Sequence, residues 1–176
     1  RMWIGTDPGL NAFDLKWNYL PLNTPLGACQ VRALYHEPND LWAGCYREGV
    51  VRAQETAGNP SYSYYYTASS PIVSNTIFAI AQDASNRFWF GSLGNGISVY
   101  TAPTNFSSLW LTYTVADGLT SNRVKALAQD DRGRMWVGTD FSGLSVFDGA
   151  RWVTMTTANA PLGSNVIHAL LKDHFG

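Results

Sequence analysis

Hydrophobic and polar positions alternate along the chain in short runs, a pattern typical of β-strands. In residues 122–147 an alternating run is followed by a polar turn at 130–133 and by a second run, Met135 to Thr139. A glycine then precedes a third run, Leu144 to Phe147. Alternation with a period of two, interrupted by turn-forming residues, predicts an antiparallel meander.

This meander recurs through the whole chain. A Trp-x-Gly signature followed by Ser, Thr or Cys occurs four times, with spacings of 39, 47 and 47 residues. The four copies are Trp3 to Thr6, Trp42 to Cys45, Trp89 to Ser92 and Trp136 to Thr139. A repeat of about 44 residues is typical of propeller blades with four strands each. We therefore predict an all-β chain, a β-propeller of four four-stranded antiparallel blades.

Three of the blades are expected to be continuous, within a single domain of residues 1–176. Their predicted limits are about 29–67, 75–114 and 122–155. The fourth blade is predicted to be split between the chain ends, with residues 165–176 as its first strand and residues 1–20 as the rest.

The split is inferred from joining the two ends of the chain. Residues 168–176 followed by 1–7 read HALLKDHFGRMWIGTD, which aligns without a gap with KALAQDDRGRMWVGTD at 125–140. Pairing the terminal strands would close the ring and remove its exposed strand edges. A closed ring of four blades is the favoured interpretation. The alternatives are half of an eight-bladed ring shared by two chains, and a fragment of a larger propeller.

The two cysteines occupy related positions in one repeat. Cys29 precedes the inner strand and Cys45 ends the second strand, so both lie at the same end of a predicted hairpin. The other repeats carry Asn at the first position and Ser or Thr at the second (Asn75 and Ser92, Asn122 and Thr139, Asn165 and Thr6). An Asn-to-hydroxyl hydrogen bond could form in those three repeats, and we expect a Cys29–Cys45 disulfide in the remaining one. Two nearby reduced thiols are the alternative.

Charge and hydropathy restrict the possible partners. The formal net charge is −1 and no basic run occurs, so we expect no nucleic-acid partner. No apolar run approaches the length of a membrane span, so we expect no membrane insertion. Charged residues make up only 14% of the chain, against about 25% in average soluble domains. Together with the predicted disulfide, this low charge favours a periplasmic or extracellular location.

The best candidates for ligand contacts are the second residues of the four predicted inner strands. These residues are Arg32, Phe78, Lys125 and His168. Each follows a Val or Ile and precedes an alanine, so this position differs among the four repeats while the residues on either side of it hardly differ. A collar of cations beside an aromatic ring would hold a carboxylate, sulfate, phosphate or sugar acid at the mouth of the channel. Solvated side chains at that mouth are the alternative.

Patterns that indicate catalysis or metal binding are absent from the sequence. The three histidines, His36, His168 and His174, match no zinc-binding spacing, and no G-x-S-x-G segment occurs. We therefore predict no catalytic residues, no metal and no cofactor.

The pattern from Val124 to Asp148 resembles the two-component regulator propeller repeat. Ile77 to Tyr100 follows the same pattern, as do the joined chain ends, while Val31 to Ala53 departs most, with Cys in place of Thr. The resemblance implies a propeller of the kind found in extracytoplasmic sensor regions of bacterial hybrid histidine kinases. The repeats are also similar to streptogramin-lyase-like propellers, which are enzymes.

Three functional hypotheses follow. The favoured one is a non-enzymatic, sensor-type propeller that binds a small anionic or carbohydrate-like ligand, or a partner protein, at the channel mouth. The second is a lyase or hydrolase that uses His168 and loop carboxylates at the same mouth. The third is a structural assembly module that uses the tyrosine-rich strand Tyr62 to Tyr66, and sharing of a ring would make the chain a homo-oligomer.

Overall fold

The computed structural model describes residues 2–14, 16–20, 22–25, 27–56, 59–102 and 109–173. These residues form β-strands joined by short turns, with one 3-10 turn at Val115–Asp117 and no α-helix. In this part of the chain, accordingly, no helix has the length and apolar character needed to span a membrane.

Seventeen strands are formed by the described residues. The first sheet contains β1 (Met2–Thr6), β2 (Gly9–Asp14) and β3 (Lys16–Leu20), and a two-stranded pair, β4 (Asn23–Thr24) with β5 (Gly27–Ala28), follows. The second sheet contains β6 (Val31–Glu37), β7 (Asp40–Cys45), β8 (Val50–Thr56) and β9 (Asn59–Tyr65). The third contains β10 (Ile77–Gln82), β11 (Arg87–Ser92), β12 (Ile97–Thr101) and β13 (Leu109–Tyr113). The fourth contains β14 (Val124–Gln129), β15 (Met135–Thr139), β16 (Leu144–Phe147) and β17 (Trp152–Met155).

The all-β fold of blade-like antiparallel sheets is confirmed. In each four-stranded sheet the strands pair in chain order, as blades of a propeller do. The sheet that begins with β1 has three strands, and the described residues 165–173 form no strand. A strand needs a hydrogen-bonded neighbour, and no such neighbour lies beside 165–173 within the described sheets. The split blade therefore stays a prediction.

The chain divides into two compact units, Arg1–Phe78 and Ala79–Gly176. The core of the first unit contains Leu10, Leu22, Cys29, Leu41, Ala43, Cys45 and Val51. The core of the second contains Ala81, Trp89, Ile97, Val99, Leu119, Val124, Met135, Val137 and Phe147. Trp42 and Trp89 are fully buried, so the tryptophans of these two Trp-x-Gly signatures serve packing.

The glycine of the Trp-x-Gly signature positions the next inner segment. A Cβ placed on Gly91 would lie 2.5 Å from Cγ1 of Val124, and one placed on Gly138 would lie 2.5 Å from Cγ2 of Ile167. The same relationship joins Gly5 to Val31 and Gly44 to Ile77. Only glycine leaves room for these β-branched side chains. Each candidate ligand residue follows directly after a side chain that is held in this way.

Candidate functional site

Arg32 and Phe78 are brought together in the first unit by a tyrosine. The guanidinium carbon of Arg32 lies 5.6 Å from the ring centroid of Tyr46, and that of Arg47 lies 5.0 Å from it. The rings of Tyr46 and Phe78 meet edge to face, with centroids 6.5 Å apart. We call Arg32, Tyr46, Arg47 and Phe78 the Tyr46 cluster. Two cations therefore share one aromatic ring.

The backbone after β7 holds this cluster in place. The Tyr46 N–H donates to the carbonyl oxygen of Gln30 at 2.9 Å, and the Arg47 N–H donates to Oγ1 of Thr76 at 3.2 Å. Arg47 has a φ of 78°, which lies in the left-handed region that non-glycine residues seldom adopt. Such a conformation persists only where its surroundings fix it, and it is often found at functional sites.

The two cations of the Tyr46 cluster have no carboxylate ion-pair partner in the part of the chain that the structure describes. Neither Arg32 nor Arg47 forms an ion pair within the described part of the chain, and Arg32 has one long hydrogen bond, 3.5 Å, to Oε1 of Gln30. Glu48 is an acidic residue that follows Arg47 directly on the same turn. Burial raises the pKa of its carboxyl, although hydrogen bonds from the backbone of Gln30 and Glu48 and the charge of Arg47 act in the opposite direction. Burial thus makes the charged form of Glu48 less favourable.

Lys125 has a different environment in the second unit. Its Nζ lies 2.9 Å from Oδ1 of Asp140, and Nη2 of Arg123 lies 2.8 Å from Oδ2 of the same carboxylate. Asp140 is buried, with 5% exposure, and hydrogen bonds from Arg123 and Lys125 lower its pKa. Lys125 is therefore part of an ion-paired triad. The sequence did not predict the contact between Asp140 and Lys125, because this contact depends on how a loop folds back over β14.

His168 lies on the segment that follows Ile167, and its side chain is exposed. The four candidate ligand residues are thus divided between the two units, with Arg32 and Phe78 in the first and Lys125 and His168 in the second. In the regions that the structure describes, no three His, Cys, Asp or Glu side chains lie close enough together to hold a metal ion.

The predicted disulfide is present. Cys29 and Cys45 are joined, with Cα atoms 5.3 Å apart, and both are fully buried. The bond connects the start of the inner strand to the end of β7, two residues before Arg47. It therefore supports the turn that carries Tyr46.

The Asn-to-hydroxyl hydrogen bond that the repeat allowed does not form between Asn122 and Thr139, both of which the structure describes. Asn122 Oδ1 accepts from the N–H of Val115, and Asn165 Oδ1 accepts from that of Thr157. The hydroxyl of Thr139 donates instead to the carbonyl oxygen of Gly143 at 2.8 Å. Each of these side chains bonds to a backbone group instead, and the N–H groups of Val115 and Thr157 are satisfied in this way.

A cavity lies in the second unit. This cavity of about 630 Å³ is bordered by the β14–β15 turn and by the segment 170–173. Oδ2 of Asp130 accepts hydrogen bonds from Nε1 of Trp136 at 2.8 Å and from Nε of Arg134 at 2.7 Å. Burial alone would raise the pKa of Asp130, but these bonds and that from the Arg134 backbone lower it to about 2. The polar side chains of this wall are thus bound to one another.

Comparison with known families identifies the repeat. Residues 71–94 and 118–141 match the family model of the two component regulator propeller. The first stretch contains β10 and β11, and the second contains β14 and β15. The resemblance inferred from the repeat pattern is therefore confirmed for these blades. No curated protein matches the chain in sequence.

Similar solved structures share the fold. One is described as the extracellular domain of BT3049, a hybrid two component system of B. thetaiotaomicron, at 24% identity and a TM-score of 0.77, covering 93% of this chain. Another is PorZ, a surface component of the type-IX secretion system of Porphyromonas gingivalis, at 20% identity and a TM-score of 0.67, covering 97% of this chain. A third is the extracellular domain of BT4673 from B. thetaiotaomicron, at 20% identity and 0.51, covering 98%.

This chain is much shorter than those proteins. It covers 22% of the BT3049 chain, 28% of the PorZ chain and 29% of the BT4673 chain. The comparison therefore shows the propeller fold.

Proposed function

We propose that this chain, which carries two component regulator propeller repeats on propeller blades, is a non-enzymatic recognition module for a small anionic or carbohydrate-like ligand. The observation that carries the proposal is the Tyr46 cluster, in which two guanidinium groups lie over one tyrosine ring and form no ion pair with a carboxylate of the described residues. The repeat family and the extracellular sensor structures with the same fold agree with this function.

The chemistry of the cluster favours a ligand that carries both an anionic group and a sugar ring. A guanidinium group donates two parallel hydrogen bonds to a carboxylate or sulfate, and two such groups provide more donors than one anion needs. The half-buried ring of Phe78 suits the apolar face of a sugar, since aromatic side chains combine apolar area with fixed geometry. A sugar acid presents both features to the same site.

Lys125 and His168 have a smaller role in the proposed ligand binding. The triad with Asp140 already satisfies Lys125, so a ligand carboxylate would have to compete with a buried acceptor. His168 is exposed, and its imidazole can donate a hydrogen bond to a ligand. The ligand is therefore assigned first to Arg32 and Phe78, with Tyr46 and Arg47 added.

The same proposal places the chain outside the cytoplasm of a bacterium. The Cys29–Cys45 disulfide is of the kind that persists in oxidising compartments. The similar structures from B. thetaiotaomicron are extracellular domains. Detection of the protein in the periplasmic or surface fraction of its host tests this location.

Calorimetric titration with three anionic probes tests the site. The probes are tetragalacturonate, a heparin tetrasaccharide and inorganic sulfate, with methyl-esterified tetragalacturonate as an uncharged match. We expect an acidic sugar to bind and its ester to bind at least 10-fold more weakly, because hydrogen bonds to a charged group contribute about 1.5–3 kcal/mol.

Paired variants assign the binding to the cluster. Arg32→Gln with Arg47→Gln should abolish binding of the acidic sugar, and Tyr46→Leu should weaken it. Arg132→Gln is the matched control, because this exposed arginine lies in the β14–β15 turn and outside the cluster. Binding that survives the double variant, or binding of none of the three probes, would contradict the proposed function.

A further inference from the structure

The turn between β15 and β16 carries an exposed phenylalanine on a well-ordered backbone. The Asp140 N–H donates to the carbonyl oxygen of Arg123 at 3.1 Å. The N–H and the hydroxyl of Thr139 both donate to the carbonyl oxygen of Gly143, at 3.1 and 2.8 Å. Phe141 lies between these hydrogen-bonded residues and is 66% exposed. The turn therefore presents the phenyl ring to solvent from a backbone that is hydrogen-bonded on both sides.

Arg123 lies against this ring and has N–H donors to spare. Its guanidinium carbon is 5.9 Å from the ring centroid of Phe141, within the range of a cation–π contact. Its Nε and Nη2 both donate to Oδ2 of Asp140, at 3.2 and 2.8 Å. A guanidinium group has five N–H donors in one plane, so the edge formed by Nη1 and the outer N–H of Nη2 is left over. Among the described residues this edge has no acceptor, and the side chain is 48% exposed. Such an edge binds a carboxylate through two parallel hydrogen bonds.

The charges around Asp140 leave one positive charge unbalanced. Arg123 and Lys125 are both cationic, and the buried Asp140 supplies a single negative charge. Lys125 Nζ lies 2.9 Å from Oδ1 of Asp140, so each oxygen of this carboxylate already has a cationic partner. A ligand with one negative charge would balance the remaining charge without displacing Asp140, because it would meet Arg123 at the opposite edge of the guanidinium group. The charges therefore favour a monoanion.

We propose that Arg123 and Phe141 form a second ligand site, which binds a ring that carries one carboxylate. The carboxylate bonds to the free edge of Arg123, and the ring packs on the exposed part of Phe141. The short distance between these two side chains favours a carboxylate attached directly to the ring. Aromatic acids and sugar acids share this chemistry, since an aromatic side chain packs on either kind of ring. The site lies within the second unit and shares no residue with the Tyr46 cluster, so it does not depend on the proposed function.

Amide chemical shifts of the isotope-labelled chain in NMR spectra locate the site. The probes are benzoate and galacturonate, with their methyl esters as uncharged matches. We expect at least one acid to shift the amides of residues 139–143 in a saturable manner. Its ester should bind at least about 10-fold more weakly, because hydrogen bonds to a charged group are lost. Binding of benzoate alone would identify aromatic acids as the ligand class, and binding of galacturonate alone would identify sugar acids.

Two variants assign the binding to these side chains. Phe141→Ser should weaken it by about 2- to 10-fold, because the ring contact is removed while the ion pairs of Asp140 are kept. Arg123→Lys keeps the positive charge but removes the planar donor edge, so it should weaken binding at least as much. The matched controls are Leu109→Ser and Arg151→Lys, because both side chains are exposed but lie outside this turn.

Three results would overturn the proposal. The first is that neither acid shifts the amides of residues 139–143. The second is that Phe141→Ser binds the acid as tightly as the unmodified chain, and the third is that the esters bind as tightly as the acids. Shifts confined to Tyr46 and Arg47 would count as the first result while supporting the Tyr46 cluster, so the two sites are tested separately.

Discussion

Val124 lies directly over Gly91, so that a Cβ on the glycine would come within 2.5 Å of Cγ1 of the valine. Ala79 Cβ lies 3.3 Å from the same point, so the glycine is enclosed from two sides. The contact joins the third and fourth sheets through their buried strands. The Trp-x-Gly signature is therefore a packing requirement between neighbouring blades.

We expect Gly91→Ala to destabilise the protein by about 1–3 kcal/mol, because overpacking of a filled core forces neighbouring strands apart. Urea unfolding measures the change. Gly163→Ala is the control, since no heavy atom lies within 4 Å of a Cβ at that position. An equal effect of the two substitutions would show that the contact with Val124 does not decide the stability.

Removal of the disulfide should cost stability and also loosen the turn with Tyr46. Cys29 and Cys45 are 16 residues apart, and closing a loop of that size stabilises a fold by about 3 kcal/mol in the chain-entropy model. We expect Cys29→Ser with Cys45→Ser to lower the urea midpoint accordingly. Reduction of the unmodified protein by dithiothreitol should reproduce the change, and should leave the double variant unaffected.

The sequence predicted strand positions well because a single packing rule repeats. Trp-x-Gly marks the second strand wherever a β-branched residue lies over the glycine, so β7, β11 and β15 were expected at these places. The disulfide was also predictable, because both cysteines replace residues of matching positions in one repeat. These features depend on local pattern and on register.

Contacts within the candidate site were not predictable in the same way. Tyr46 links Arg32 to Phe78, and Asp140 neutralises Lys125, but both residues lie in turns whose sequences differ from blade to blade. The side chain of Asn122 was also misassigned, because its partner is a backbone N–H seven residues earlier in the chain. Such contacts depend on how each loop bends, which alternation does not encode.

Ionisation of the Asp130 carboxylate should make the folding stability of the protein depend on pH. Its pKa lies at about 2 in the folded protein, below the ordinary value of 3.8, so the folded state favours the ionised form. The resulting stabilisation is fully present above pH 4 and is lost as the pH falls through 2. We expect Asp130→Asn to cost about 1–3 kcal/mol at pH 7, because Trp136 and Arg134 lose a charged acceptor.

Unfolding curves at pH 7 and at pH 2.5 check this expectation. The difference in stability between variant and unmodified protein should be smaller at the lower pH. Asp131→Asn is the control, because its ion pair with Lys172 is largely exposed and such pairs contribute about 0–1 kcal/mol. If the loss of folding stability in Asp130→Asn is the same at both pH values, the shape of the Asp130 side chain, and not its charge, accounts for its stabilising effect.

The ion-paired triad around Asp140 can be tested by a substitution that removes its single negative charge. Asp140→Asn keeps the size of the side chain but leaves Arg123 and Lys125 without their shared anion. We expect a loss of about 1–3 kcal/mol in the free energy of unfolding, because a buried charged acceptor is removed from two cations.

The two freed cations should then attract a dissolved anion, since like charges held together are unfavourable. Thermal unfolding in sodium sulfate, with sodium chloride of equal ionic strength as the control, measures both effects. Sulfate should raise the melting temperature of the variant more than that of the unmodified protein. An equal rise in the two would show that Arg123 and Lys125 do not bind sulfate when Asp140 is replaced.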